Sequence, residues 1–187
     1  MAEIDSRSAS SMKDKWVLLS KAEIGDIFFS RDRTVVSWII RTFSGFNYSH
    51  VIVKSSENTV IDAAVGGVSV RDIGQLLHKK VSKIEKMPFP EDVDKGKFMK
   101  FLAEKLGSYY DYGALLGFLI SKLFRISRWR ENMAHGASRY FCSELIAEAL
   151  AFAGAKFELP PSQIMPKDLY YYLSRAGEAC DTAFKGA

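Results

Sequence analysis

Cysteine is scarce in this sequence, which holds only Cys142 and Cys180 in 187 residues. Two thiols build no disulfide framework, and a chain of this length buries enough surface to need none. Unpaired thiols suit a reducing compartment. Histidine is nearly as rare, at His50, His78 and His135. No CxxC, HxxxH or HxxE spacing occurs, and Cys142 has no ligand near it in sequence, so nothing points to zinc. There is no Walker-type loop and no GxGxxG, so neither a nucleotide nor another cofactor is expected. Charge of one sign is also in short supply. A formal net charge of +4 permits a weak attraction to anionic surfaces but falls short of a nucleic-acid-binding signature. Long apolar runs are missing too. The longest, residues 112–120, is broken by Gly113 and Gly117 and soon followed by Lys122 and Arg125. A bilayer span takes about 20 residues. The polar first fifteen residues lack the apolar centre of a signal peptide. The expectation is a cytoplasmic protein, or one exported by a route without a signal peptide.

What is present is bulk. Hydrophobic residues make up 48% and aromatics 13%, enough for a large core in one domain. We read a flexible segment at 1–15, a single domain over 16–175 and a mobile tail at 176–187, with no repeats or internal linker. Residues 16–20 read as a short strand or lead-in. A Gly25-Asp26 turn opens a compact strand over 24–30. Val35, Val36, Ile39, Ile40 and Phe43 follow a helical rhythm over 34–43. Strands at 49–54 and 59–64 pair as an antiparallel hairpin across the loop 55–58. Strands at 68–70 and 81–87 flank a short helix at 72–78, capped by Asp72. The second half is helical, at 91–106, at 112–126, from Cys142 to Gly154, and over 165–173. A basic loop fills 128–138.

Cys142 falls in the first turn of its helix, whose apolar face carries Leu145, Ile146, Ala149 and Leu150. Unpaired N–H groups and the positive dipole end favour a negative charge there, and thiolate is the reactive form of cysteine. A free cysteine is also a small apolar core residue, so position alone leaves both roles open. A nucleophilic thiol needs a base, and the base needs an orienting group. His50 opens an apolar strand just after the polar turn 47–49, on a rigid mount. His78, beside Lys79 and Lys80, and His135, in the basic loop, read as solvated. Asp62 is the only charged residue in 59–64, and a carboxylate in an apolar run is costly unless paired. Pairing across the four-residue loop sets Val53 opposite Val60 and Val51 opposite Asp62, within a residue of level with His50. A satisfied core histidine and an aspartate on an exposed strand face are the structural alternatives.

The order of parts resembles a known family. Gly25-Asp26, Tyr48-Ser49-His50, Asp62 between Ile61 and Ala63, Tyr110 with Gly113, Tyr140-Phe141-Cys142-Ser143-Glu144, and Met165-Pro166-Lys167-Asp168 follow one another over residues 24–173. The series is similar to the circularly permuted branch of the NlpC/P60 cysteine-peptidase superfamily, the YiiX/YebB-like group with a papain-like fold, where histidine precedes cysteine. The resemblance implies an α+β fold with a central antiparallel sheet and the Cys142 helix packed against it. It implies Cys142 as nucleophile, His50 as general base and Asp62 as the orienting third residue, at a position where that branch more commonly carries glutamate. Tyr110 matches a tyrosine that helps position the thiol or the oxyanion, and the Cys142 N–H supplies an oxyanion donor. The implied activity is hydrolysis of a peptide or peptidoglycan-like amide, or a related acyl bond, through an acyl-enzyme. No metal and no nucleic-acid partner is implied. Related LRAT-like proteins share the His-before-Cys order and transfer acyl groups from lipids, so a membrane-surface substrate and residues 114–126 as a surface segment form the alternative. A non-catalytic binding module on the same scaffold is the third.

Overall fold

Ile27, Phe28 and Phe29 are three apolar residues in a row, as a strand buried on both faces requires. A computed structural model of the chain describes residues 8–64, 67–78, 81–108 and 142–184. In it these residues begin β2 (Ile27–Asp32), inside a six-stranded antiparallel sheet. The other strands are β1 (Ser8–Ala9), β3 (His50–Lys54), β4 (Thr59–Ala64), β5 (Gly67–Asp72) and β6 (Val81–Met87), in the order β1-β6-β2-β3-β4-β5.

Alternation along the strands sorts two cores. One face offers Ile27, Phe29, Val51, Val53, Ile61, Ala63 and Val68. Against it lie α4 (Lys95–Glu104), α5 (Cys142–Phe152) and α6 (Pro166–Phe184), through residues such as Phe98, Leu102, Leu145, Leu150, Leu169 and Leu173. The other face offers Phe28, Ile52, Val60 and Ile84 to Leu19 of α1 (Met12–Ser20) and to Ile73, Leu76 and Leu77 of α3 (Ile73–His78). Helix α2 (Val35–Ser44) joins β2 to β3, capped by Thr34 and ended by Gly45. The result is the expected α+β fold, with the Cys142 helix packed on the sheet.

The structure departs from the sequence reading in particulars. Residues 12–20 form a helix, with the Ser11 hydroxyl accepting from the Asp14 N–H at 3.1 Å. Asp72 does cap α3, accepting from the Gln75 N–H at 3.1 Å. Helix α6 runs on to Phe184, past the 165–173 expected of it. The hairpin register is off by one residue: Ile52, not Val51, faces Asp62, with Val53 opposite Ile61 and Lys54 opposite Val60. The Ser55 and Ser56 N–H groups both bond the Thr59 carbonyl, at 3.0 and 3.3 Å, which closes the turn one residue tighter than expected. Because side chains alternate, this one-residue shift puts Asp62 on the same face of the sheet as His50.

Candidate active site

His50 is the first residue of β3, opposite Ser30 of β2. The turn before it is pinned by hydroxyls. Ser37 of α2 donates to the Asp32 carbonyl at 2.7 Å, and Ser37 and Ser49 share a hydrogen bond of 2.6 Å. A hydroxyl has one proton, so the Ser37–Asp32 bond makes Ser49 the donor of the second. The Ser49 N–H donates to the Ser30 carbonyl at 3.0 Å. These bonds tie α2, the end of β2 and the start of β3 together around the ring.

His50 and Asp62 meet diagonally across the β3–β4 pair, His50 Nε2 bonding Asp62 Oδ1. The second carboxylate oxygen, Oδ2, takes the Arg71 Nε–H at 2.8 Å. Asp62 is 2% exposed, so both bonds act with little screening. Cys142, the first residue of α5 and 5% exposed, lies close enough to the imidazole for its sulfur to favour the charged ring. With Nε2 held by the carboxylate, Nδ1 is the ring nitrogen left for the sulfur. The first turn of α5 is held in its turn by Ser143, whose buried hydroxyl donates to the Ile164 carbonyl at 2.9 Å.

Burial opposes charging of His50, but the Asp62 carboxylate outweighs it, and with help from Cys142 the imidazole stays protonated well above the usual histidine range. A further carboxylate lies close by. Asp32, two residues past Ser30, is pushed upward chiefly by burial, eased by His50 and reinforced by the Asp62 charge. Its Oδ1 accepts a long 3.4 Å bond from the Ser30 hydroxyl.

No family model matches the chain. The chain is similar to the probable lipoprotein peptidase YaeF of Escherichia coli (strain K12), with 26% identity over 187 residues, covering 86% of this chain and 66% of the relative. It thus spans slightly less than two thirds of that protein's length.

The residues singled out from sequence fall as follows. His50 and Asp62 are brought into hydrogen-bond contact, with Cys142 near enough to weigh on the ring's charge; Tyr110 lies outside the described residues, as do Tyr140, His135 and the segment 114–126. His78 is exposed at the end of α3. Arg71 and Asp32 escaped the sequence reading, since each gains meaning only from the strand register. Among the described residues, no group of three or more His, Cys, Asp or Glu could hold a metal ion, and no helix is long and apolar enough to cross a membrane. A thiol against an imidazole that is itself backed by a carboxylate can pass its proton to the ring and act as a nucleophile.

Proposed function

We propose that the chain is a cysteine hydrolase of the permuted NlpC/P60 type, cleaving a peptide or peptidoglycan-like amide through an acyl-enzyme. The observation that carries this reading is the buried His50–Asp62 pair, with Cys142 at a helix N-terminus close enough to bear on the ring's charge. The similarity to a probable lipoprotein peptidase supports the broader class, peptidase or hydrolase.

In this reading the sulfur reacts as the thiolate with the proton on His50 Nδ1, and the Asp62 carboxylate stabilises that imidazolium. The sulfur attacks the acyl carbon, forming the C–S bond while the carbonyl oxygen takes up negative charge. The Cys142 N–H, in the first turn of α5, is the donor for that charge. Collapse breaks the C–N bond, and the leaving amine takes the proton from His50. Water then gives a proton to His50 and attacks the thioester. The C–S bond breaks, the acid departs and the thiol is restored.

Two measurements test the proposal. Cys142→Ala should abolish hydrolysis of peptidoglycan stem peptides or a fluorogenic peptide library. Iodoacetamide at neutral pH should label Cys142 ahead of Cys180, as mapped by mass spectrometry. Hydrolysis that survives loss of the thiol ends the proposal.

A further inference from the structure

Among the described side chains of helix α2 the buried one is Ser37, 4% exposed, and the half-buried Ile40, Arg41 and Ser44 follow on the same side. The Ser44 hydroxyl is buried with no hydrogen-bond partner. The apolar side chains Val35 and Trp38 face outward, 73% and 59% exposed. Exposed Thr42 continues their stripe at three- and four-residue spacing, its hydroxyl turned back onto the Trp38 carbonyl at 2.9 Å. Single exposed apolar residues are ordinary on a protein surface. A valine and a tryptophan facing out together, on a helix that turns a serine inward, are a different matter, because a large apolar side chain on an amphipathic helix normally faces the core.

The charges around this helix specify what would cover it. Arg31 and Arg33 are exposed in the lead-in to α2, and Arg41 lies within it. The cations are crowded: burial and then the Arg31 charge weigh on Arg41, with Asp32 as a partial offset, and Arg33 adds to the burial that weighs on Lys15. Tryptophan beside arginine is the composition of a membrane–water boundary. At ten residues, α2 is about 15 Å long, half of a hydrocarbon core of about 30 Å. It can lie on a bilayer and cannot cross one.

We infer that α2 docks the protein on an anionic bilayer, with Val35 and Trp38 at the headgroup boundary and Arg31 and Arg33 against lipid phosphates. The docking helix leads straight into the turn before His50, and Ser37 on its inner side bonds Ser49. Docking therefore brings the Cys142 site to the membrane surface, where a substrate that is a lipid or is anchored to one would be presented. That last step rests on the hydrolase reading; the docking does not.

The full chain should float with vesicles of phosphatidylcholine and phosphatidylglycerol, and not with phosphatidylcholine alone, and added salt should weaken the binding. Trp38→Glu should lower the bound fraction about tenfold, and Arg33→Glu about fivefold. Circular dichroism melting should show both variants folded, since both positions are exposed. Cys142→Ala should bind as the parent does, so a failure of chemistry is told apart from a failure of docking. Absence of binding to the anionic vesicles overturns the inference, as does binding that Trp38→Glu leaves intact. A dimer in sedimentation equilibrium that Trp38→Glu dissolves, with no vesicle binding, assigns the face to a second copy and overturns it equally.

Discussion

Asp62 sits between two nitrogen donors, His50 on one oxygen and Arg71 on the other, almost out of reach of water. Removing its charge while keeping its shape, Asp62→Asn, leaves the ring without the carboxylate that outweighs burial. Hydrolysis should fall by about 10²–10⁴-fold in kcat/KM, the scale on which an orienting carboxylate acts. Arg71 acts through the Asp62 carboxylate it bonds, so it is a positioning residue. Arg71→Met gives up a charged hydrogen bond worth about 1.5–3 kcal/mol, and kcat should fall roughly ten- to a hundredfold with KM little changed. Arg71→Lys should recover part of this loss, keeping the charge without the planar fork. Asp32 tests the surroundings. Burial is the main cause of its raised pKa and its charge lies near His50, so Asp32→Asn should raise stability at neutral pH and lower the His50 pKa. Urea melts and an NMR titration of the His50 ring check both, and an unmoved ring titration would refute the coupling. Cys142, His50 and Asp62 were conspicuous as candidates because each is an anomaly in its own stretch: a thiol at a helix mouth, an imidazole at a strand start, one charge among apolar neighbours. Arg71 and Asp32 were not, because a polar residue near a strand end is ordinary until the pairing is known.

The elements that carry the site are held at both ends. Just past the end of α5 stands Gly154, whose φ of +117° lies where side-chain-bearing residues are strained. The Ala155 N–H bonds the Leu150 carbonyl at 2.9 Å beyond it, and the Asp94 N–H bonds the Ala153 carbonyl at 3.0 Å, docking the start of α4 there. A Cβ at Gly154 would meet the Asp92 carbonyl oxygen at 3.7 Å, an ordinary contact, so backbone strain alone makes Gly154→Ala costly, by about 1 kcal/mol or more. At the other end, Ser143→Ala would leave the Ile164 carbonyl without its hydroxyl donor. It should destabilise by about 1–3 kcal/mol in urea melts and lower kcat by loosening the Cys142 turn. Most elements could be read from hydrophobic period and turn residues, β6 to its ends. The first helix could not, because its buried side is built partly of lysine: Lys15 spends its ammonium on the Val81 carbonyl at 2.5 Å. Its start did leave a signal, Ser11 followed three residues later by Asp14. The hairpin register was beyond sequence for a similar reason, since it turned on two serine N–H groups sharing one carbonyl.

Across the whole molecule these ionisations set how stability should vary with pH. The His50 pKa is raised in the folded chain above its unfolded value of about 6.5. The folded state therefore holds a proton that the unfolded state has released. The stabilisation from the Asp62–His50 pair is full below about pH 6.5 and is lost as the pH rises through the folded value. Asp26 works in the opposite sense. Burial opposes its charge, but Lys86 at 2.5 Å, the Glu23 N–H and Lys95 at 3.2 Å overcome it and lower its pKa. Its contribution is present above the unfolded value of about 3.9 and fades as the pH falls through the lowered one. Asp32, raised, offsets part of that acid loss, because its protonation favours the folded chain. Urea midpoints should therefore be highest in the mildly acidic range and decline on both sides. Asp62→Asn should remove or reverse the alkaline decline, because the carboxylate that outweighs burial of the ring is gone. Asp26→Asn should flatten the acid side and spare the alkaline one, while Asp32→Asn should steepen the acid side. If the parent and Asp62→Asn midpoints fell in parallel above pH 6.5 or so, the buried carboxylate would not be what holds the proton on His50.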